Sequence, residues 1–407
     1  MKIAILGYGV EGKCIEEYFK GHEITVFDDF KPAEIKDQLA EFDLIFRSPS
    51  VPPEKNYTSA TRYFFEHCKA KIIGVTGTKG KGTTCTLTAA ILKALGYRVH
   101  LVGNIGTPAL SVLDKIKPDD VVVFELSSFQ LWDLDRSPHI AGVLRIEPDH
   151  LDIHSDYSDY VNAKSNITRF QTADDFCIYY AENIDSKKIA EFSLGHKLSY
   201  PLIIPQIAEK VNSILDHLHL PGAHNRENAE AALMLAAAYL ALPIEQFLDE
   251  HKDSIIAALE NFKGLPHRLD FVRELNGVKY YDDNYSSAFP ALDVAIKAFS
   301  ENQVVLIAGG KDRGLDLTKT KRAIFDAKNV RKAILIGETK QALSKSENPN
   351  KYLLAETLKE AVFAAREIAE ELENPVVVMS PGAASFDMFE NFKDRGDQFK
   401  KIVKGLK

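Results

Sequence analysis

Short apolar runs alternate with polar, glycine-rich turns and helix-like stretches along the whole chain. Four runs lie in the first half, at Ile72–Val75, Tyr97–Val102, Val121–Phe124 and Ile140–Leu144. Four more lie in the last third, at Val278–Asp282, Val304–Ala308, Ala333–Ile336 and Val376–Met379. Runs of this length, rich in Val and Ile and separated by helical segments, are typical of buried strands in a parallel sheet with right-handed crossovers. The pattern therefore predicts an α/β fold.

The N-terminal segment shows the same pattern on a smaller scale. A strand is followed by a turn with the spacing G-x-G-x-x-G (Gly7, Gly9, Gly12), and a helix and a second strand then lead to Asp28. This turn is typical of a dinucleotide site, but only about 70 residues precede the next nucleotide site. We therefore favour a half-sized Rossmann-like lobe for one nucleotide moiety, such as a UDP group, and an NAD site remains the alternative. A third strand ends at Ser48, at the edge where open α/β sheets bind ligands.

The segment of residues 71–84, KIIGVTGTKGKGTT, combines a strand, a glycine turn and a helix start predicted at Thr83 and Thr84. Backbone amides at such a turn converge on phosphate, and the helix dipole favours negative charge. Lys81 supplies a cation and Thr83 a hydroxyl for Mg²⁺. The strict phosphate-loop pattern is not met, because Val75 replaces its first glycine and Gly82 follows the lysine. The segment nevertheless predicts nucleoside triphosphate binding.

Polar residues follow the next predicted strands of the same region. Asn104, Glu125 and the Asp149-His150 pair each stand just after an apolar run. Acidic groups at the mouths of parallel strands beside a phosphate loop predict Mg²⁺ ligands. The spacing alone favours a solvent-facing helical lysine at Lys164. The amides that begin a long alanine-rich helix, Asn225 and Asn228, either cap that helix or contact a base.

Composition limits the classes of function. The length of 407 residues predicts two or three domains. We expect three, at 1–70, 71–265 and 266–407, because the second nucleotide site begins at Lys71 and Gly264 and Pro266 mark a later break. The shares of 45% hydrophobic and 27% charged residues are typical of a soluble protein, and the net charge of −8 argues against nucleic-acid and anionic-membrane partners. Four scattered cysteines and no apolar run of membrane-spanning length indicate a cytoplasmic protein without structural zinc.

Taken together, these motifs resemble the Mur ligases. G-T-x-G-K, ELSSFQL, D-H-L-D and H-N-x-x-N mark the superfamily, which includes folylpolyglutamate synthases, and GLPHR is narrower. The segment SPGAASFDMFENFKDRGDQF resembles the signature of the branch that adds D-glutamate. The resemblance covers the whole chain. It implies an N-terminal Rossmann-like UDP lobe, a central P-loop ATPase-type parallel sheet and a C-terminal Rossmann-like α/β domain.

The resemblance also implies an activity. It is the ATP-dependent addition of D-glutamate to UDP-N-acetylmuramoyl-L-alanine through an acyl phosphate, by a cytoplasmic monomer with ATP, two Mg²⁺ sites and a carbamylated Lys164. Lys81, His150 and Lys164 are its implied catalytic residues, and Thr83, Glu125, His150 and Lys164 its metal ligands. The implied ATP-binding residues are Thr78, Lys79, Gly80, Lys81, Gly82, Thr83, Thr84, Asn225, Asn228, Arg268 and Asp283. The implied UDP-substrate contacts are Gly9, Val10, Asp28, Ser48, Asn104 and Gln130. The implied D-glutamate contacts are Ser287, Arg313, Ser385 and Phe392.

This chain departs from the family pattern at several positions. Lys79, Gly82, Arg145, Tyr285 and Ser287 replace residues that are usual there, and the G-G-D-x-K loop has become Gly310-Lys311-Asp312-Arg313. The departures in the third domain bear on the choice of amino acid more than on the use of ATP. The alternatives are a folylpolyglutamate synthase-like ligase, a nicotinamide-dependent oxidoreductase that uses the first glycine turn, and a nucleotide-gated binding protein.

Overall fold

Three β-sheets flanked by helices form the architecture in the computed structural model of the protein, which describes residues 1–28, 32–345 and 348–407. The first sheet is parallel, in the order β2-β1-β3-β4. Its strands are β1 (Lys2–Leu6), β2 (Glu23–Phe27), β3 (Leu44–Arg47) and β4 (Thr58–Ser59), and its helices are α1 (Val10–Tyr18), α2 (Pro32–Leu39) and α3 (Ala60–His67).

The second sheet has six parallel strands in the order β10-β9-β8-β5-β7-β6. They are β5 (Lys71–Thr76), β6 (Val99–Gly103), β7 (Val121–Glu125), β8 (Ile140–Val143), β9 (Phe176–Tyr180) and β10 (His196–Tyr200). The helices of this region are α4 (Lys81–Ala94), α5 (Ser128–Leu131), α6 (Tyr157–Arg169), α7 (Ile184–Glu191), α8 (Pro205–Leu215), α9 (Ala223–Tyr239) and α10 (Ile244–Glu260). The strand order reverses at β5, and ligands bind at such switch points in open α/β sheets.

The third sheet has the order β11-β12-β16-β13-β14-β15. Its strands are β11 (Asp270–Leu275), β12 (Val278–Asp282), β13 (Gln303–Gly309), β14 (Val330–Ile336), β15 (Tyr352–Leu354) and β16 (Pro375–Met379). Its helices are α11 (Phe289–Lys297), α12 (Thr318–Asp326), α13 (Lys340–Ser344), α14 (Leu358–Ala369) and α15 (Phe392–Lys404). The expectation of a purely parallel sheet is wrong at one edge, because β11 runs antiparallel to β12. Asn276 and Gly277 connect them with positive φ angles of 52° and 78°, as a two-residue hairpin turn requires.

The described residues divide into two compact units. The first comprises residues 1–218 and 226–262, and the second residues 219–225 and 263–407. Within the first unit, the N-terminal and central sheets share one apolar core, in which the rings of Phe64 and Phe124 meet edge to face at 5.5 Å. The α/β class with parallel sheets is confirmed, whereas the three-domain boundaries remain a prediction.

The length and apolar composition of a helix decide whether it could cross a membrane. Among the helices in the described ranges, no single one is long and apolar enough to cross a bilayer. Within the described residues, α9 and α10 reach the length and apolar composition of a span only if they are counted together, and they are bent by 103° at their junction.

Candidate functional site

The turn between β5 and α4 has the geometry of an anion site. Gly80 precedes the helix with a φ of 86°, in the left-handed region, and an added Cβ there would lie 2.3 Å from Asn228 Oδ1. Only glycine fits both constraints. The helix begins at Lys81, two residues earlier than predicted. The Lys81 amine donates to the carbonyls of Gly77 and Thr78, each at 3.0 Å, so it folds back over the turn.

Other predicted residues of this turn lie around it. Thr83 and Thr84 are buried in the first helical turn, whereas Lys79 is exposed and Gly82 half-buried. The Thr84 hydroxyl lies 3.4 Å from Asn228 Oδ1. Asn228, which the sequence analysis considered as a contact to a base, therefore lies directly against the turn. The structure therefore brings the predicted phosphate-binding residues and Asn228 together.

Lys164 is buried, and the expectation of a solvent-facing lysine is wrong. It lies on α6 with 1% of its surface exposed, and its amine donates to the Gly77 carbonyl at 3.0 Å. The amine also lies 4.6 Å from the centre of the Tyr160 ring. Burial, followed by the charge of Lys81, holds the pKa of Lys164 well below its usual range, against the opposing charges of Asp149 and Glu125. The same helix face that binds the phosphate turn thus carries a lysine biased toward its neutral form.

The predicted metal ligands differ in their surroundings. Glu125 ends β7 with 8% exposure, and Thr83 has the same exposure. His150 is exposed, has a φ of 54°, and lies with its Nε2 3.7 Å from Asp149 Oδ2. In the described ranges no three His, Cys, Asp or Glu side chains form a metal-binding group. Of these residues, Thr83 and Glu125 present oxygen atoms, the ligands that suit Mg²⁺, and Mg²⁺ keeps several of its waters.

Tyr160 and Thr78 form a connection that sequence reasoning missed. The Thr78 hydroxyl lies 2.9 Å from the Tyr160 hydroxyl and accepts a 2.8 Å hydrogen bond from the Glu147 amide. The amide of Thr78 donates to the Arg145 carbonyl at 2.9 Å. The turn is therefore fixed to the segment that carries Asp149 and His150. Nothing in the local pattern of these residues indicates the contact.

The glycine turn of the first sheet is held by side chains from two strand ends. Asp28 Oδ1 accepts from the Tyr8 amide at 3.1 Å, and the Ser48 hydroxyl donates to the Gly7 carbonyl at 2.7 Å. Gly9 and Val10 follow with exposed surfaces, Val10 at 73%. The predicted UDP contacts of this lobe are thus brought to one edge of the sheet.

Two further predicted substrate contacts behave differently. Asn104 is exposed after β6, whereas Gln130 is 2% exposed. The Gln130 amide is already engaged, because its Nε2 donates to Glu11 Oε1 at 2.7 Å and its Oε1 accepts from the Ser127 amide at 3.0 Å. Gln130 therefore joins α1 to α5 rather than presenting a free amide.

Arg47 is a buried cation that sequence reasoning missed. It is 0% exposed, and its guanidinium binds the Asp133 carboxylate through both Nε, at 2.8 Å, and Nη2. It also donates to the carbonyls of Val51, at 3.1 Å, and Phe129, at 2.8 Å. The pair connects the end of β3 to the segment after α5.

A second group of predicted residues lies in the second unit. Asp283 is 7% exposed and accepts hydrogen bonds from the Ser380 hydroxyl at 2.7 Å and the Leu269 amide at 3.2 Å. Burial raises the pKa of Asp283 to about 7, although both hydrogen bonds oppose the change. The Arg268 guanidinium lies 4.0 Å from the centre of the Tyr285 ring, and that ring meets Phe392 at 5.3 Å.

The remaining predicted residues of this unit are mostly open to solvent. Ser287 and Arg313 are exposed, and Arg313 has no hydrogen bond or ion pair within the described part of the chain. Ser385 is 2% exposed. Asn225, also in this unit, donates to the Pro221 carbonyl at 2.8 Å, so its amide fixes the start of α9.

The comparisons with known proteins agree with one another. A model of the Mur ligase middle domain matches residues 75–236. A UDP-N-acetylmuramoylalanine–D-glutamate ligase from Clostridium kluyveri is 34% identical over 458 aligned positions, which cover 100% of this chain and 97% of that protein. A ligase of the same name from Clostridium tetani is 33% identical over 459 positions with the same coverage.

Solved structures share the fold. MurF from Acinetobacter baumannii aligns with a TM-score of 0.62 at 18% identity, covering 92% of this chain and 89% of that one. UDP-N-acetylmuramate-alanine ligase MurC from Thermotoga maritima aligns with 0.61 at 17% identity over the full length of both chains. Folylpolyglutamate synthase from Mycobacterium tuberculosis gives 0.58 at 14% identity, covering 92% of this chain and 98% of that one. At these identities the structures are evidence of the fold alone.

Proposed function

Because this chain belongs to the Mur ligase family, we propose that it joins D-glutamate to UDP-N-acetylmuramoyl-L-alanine with conversion of ATP to ADP and phosphate, in the synthesis of peptidoglycan precursors. The observation that carries the proposal is the similarity, from end to end, to ligases of that name. The turn at Gly77–Lys81 accounts for the use of ATP. The relatives favour neither a folylpolyglutamate synthase nor a nicotinamide-dependent oxidoreductase.

The reaction has two steps. The terminal carboxylate of the UDP-linked substrate attacks the γ-phosphorus of ATP, which forms an acyl phosphate and releases ADP. The amine of D-glutamate then attacks the acyl carbon, and the tetrahedral intermediate expels phosphate and a proton to leave the amide. Phosphoryl transfer needs neutralisation and alignment of charge more than covalent help. Lys81, at the turn, supplies a cation for the phosphates, and the amides that begin α4 donate to their oxygens.

The metal ligands that we propose are Thr83, Glu125, His150 and a carbamylated Lys164. Mg²⁺ bound there would neutralise the negative charge of the phosphates. The burial of Lys164 supports the carbamate, because only a neutral amine adds CO₂, and the low pKa favours that form. The carbamate is an anionic oxygen ligand, so the addition converts a buried neutral amine into a metal ligand. We also propose two Mg²⁺ sites, as the family resemblance implies.

The substrate contacts are proposals on the same footing. Gly9, Val10, Asp28, Ser48 and Asn104 are suited to the UDP-linked substrate by their exposed or strand-edge positions, with Gln130 acting through Glu11. Thr78, Lys79, Gly80, Gly82, Thr84, Asn225, Asn228, Arg268 and Asp283 are assigned to ATP. For D-glutamate, Arg313 offers a guanidinium fork that has no partner among the described residues and could bind a carboxylate, and Ser287, Ser385 and Phe392 complete the set. We also propose that the protein acts as a cytoplasmic monomer.

A phosphate-release screen tests the function. Purified protein with ATP, Mg²⁺ and UDP-N-acetylmuramoyl-L-alanine should release phosphate with D-glutamate and not with L-glutamate, D-alanine or L-alanine. Lys81→Met should abolish release while the circular dichroism spectrum stays unchanged. Arg313→Ala should raise KM for D-glutamate far more than KM for ATP, and Arg322→Ala, another exposed arginine of the same unit, serves as control. Release with L-glutamate alone would overturn the choice of acceptor, and release without UDP substrate would overturn the ligase.

A further inference from the structure

Arg395 is the largest charged side chain of the second unit that is fully buried. It lies in the first turns of α15, which Asn391 caps by accepting from the amides of Lys393 and Asp394. The exposure of Arg395 is 0%, so its guanidinium points inward from the start of the helix. A buried arginine needs a partner for nearly every N–H group, because an unpaired buried donor is costly.

The partners of this guanidinium come from two loops. Its Nε donates to Asn284 Oδ1 at 2.6 Å, and its Nη2 donates to the Asn284 carbonyl at 3.4 Å. Nη2 and Nη1 donate to the carbonyls of Ala383, at 3.1 Å, and Ala384, at 3.3 Å. A third loop packs against it, because a Cβ added at Gly310 would lie 3.1 Å from Nη1. Arg395 thus fixes the loops after β12 and β16 to each other and lies beneath the loop after β13.

All of these acceptors are neutral. In the described part of the chain Arg395 forms no ion pair, and burial lowers its pKa to about 10, so the guanidinium stays charged at neutral pH. Two carboxylates that form no ion pair with it, Asp387 and Asp282, oppose the effect of burial through their charge. In addition, the hydroxyl of Ser286, which is 1% exposed, has no partner within the described residues. The loops therefore combine a guanidinium held by neutral acceptors with a buried hydroxyl that has no partner within the described residues.

We infer that Arg395 is a positioning residue for the amino-acid acceptor, because its hydrogen bonds hold the loops that carry Ser287 and Ser385. This inference rests on the proposed function, in which those two serines bind D-glutamate. Arg395 itself does not touch the acceptor. Its role is to fix the loop backbones on which the two serines stand.

A matched pair of variants tests this role. Arg395→Lys keeps the charge but loses the fork, and Arg395→Met loses both. Arg273 is the control, because its Nη1 donates to three carbonyls, those of Val403, Lys404 and Leu406, at the other end of α15. Arg395→Lys should raise KM for D-glutamate about tenfold or more, because Ser287 and Ser385 lie on the loops that it holds. KM for ATP should stay within about twofold, because Asp283 keeps its own hydrogen bonds from the Ser380 hydroxyl and the Leu269 amide. Arg395→Met should raise KM for D-glutamate further. Arg273→Lys should lower the thermal midpoint without changing either KM.

Hydrogen exchange provides a readout that does not depend on the acceptor. Amides of residues 283–287 and 380–386 should exchange faster in Arg395→Lys than in the wild type or in Arg273→Lys. Unchanged exchange, an unchanged KM for D-glutamate in the folded variant, or an equal rise of both KM values would overturn the inference. Failure of both Arg395 variants to fold would overturn it too, because it would leave only a role in stability. If the wild type releases no phosphate with D-glutamate, the proposed function fails, and the exchange experiment still decides whether Arg395 fixes the loops.

Discussion

The ion pair of Arg47 and Asp133 predicts an unequal response to removal of its two charges. Arg47 is 0% exposed, whereas the Asp133 side chain is 13% exposed. Replacement of Asp133 by Asn keeps the volume and one oxygen, but it leaves the guanidinium buried with neutral acceptors alone. Removing one partner of a buried pair costs about 3–5 kcal/mol, and the partial exposure of Asp133 places Asp133→Asn near the lower end.

The magnitude translates into a measurable thermal shift. The first unit has about 250 residues, and a unit of that size has an unfolding entropy of about 0.5 kcal/mol/K near its midpoint. A loss of about 3 kcal/mol therefore lowers the midpoint by about 6 °C. Arg47→Met should cost less, about 2 kcal/mol, because water can reach the remaining carboxylate. In the double variant neither charge stays uncompensated, so the two losses should fall short of adding by about 2 kcal/mol.

Differential scanning calorimetry of the four proteins measures this cycle. The control is the exposed pair of Arg62 and Asp135, whose side chains are 29% and 46% exposed. Asp135→Asn should cost less than about 1 kcal/mol, as surface ion pairs do. An Asp133→Asn protein within about 1 kcal/mol of the wild type, or losses that add within about 0.5 kcal/mol, would refute the argument that the buried charge dominates.

Three further predictions concern the site. Lys164→Met should fold but release no phosphate, and acetate should restore part of the activity. The control Lys93→Met, on the exposed face of α4, should be active. Full activity of Lys164→Met would contradict the carbamate. Gly80→Ala should lose phosphate release, because the added Cβ would collide with Asn228 Oδ1. Gly96→Ala, with a φ of 89° but open space around it, should keep phosphate release and lose only about 1 kcal/mol of stability. Equal phosphate release by the two variants would contradict the collision. The pKa of Asp283, raised to about 7 from 3.8, means that the folded state binds the proton more tightly, so stability falls as pH rises through that window. Asp283→Asn should therefore gain stability over the wild type as pH rises from about 4 to 7 in urea titrations, with no further gain above pH 7, and a difference that does not change with pH would contradict the shift.

The sequence predicted the parallel sheets and the phosphate turn because both rest on local patterns. The strand at Val278–Asp282 is predicted to the residue, since five residues between a glycine turn and an acidic segment leave little freedom. The hairpin at Asn276-Gly277 was missed although its signal is local, because the alternation of strands and helices favoured a parallel sheet throughout.

The burial of charged side chains could not be predicted from local sequence patterns, because the residues that surround these side chains come from distant segments. Lys164 lies in a polar helix, and its burial results from the packing of α6 on the turn after β5. Arg395 has charged neighbours in sequence, yet loops about 11 and 111 residues away surround it. Motifs therefore sufficed to propose which residues bind ligands, whereas the shifted pKa values of Lys164 and Asp283 could be inferred only from the fold.

The apolar core that joins the first two sheets has a consequence for how the chain is divided. Phe64 of α3 and Phe124 of β7 bury each other, as do further side chains on both sides of residue 71. A fragment that began at residue 71 would expose this surface to water and would be prone to aggregation. The N-terminal sheet is therefore a structural component of the first unit, and it and the central sheet are expected to fold and unfold in a single cooperative transition.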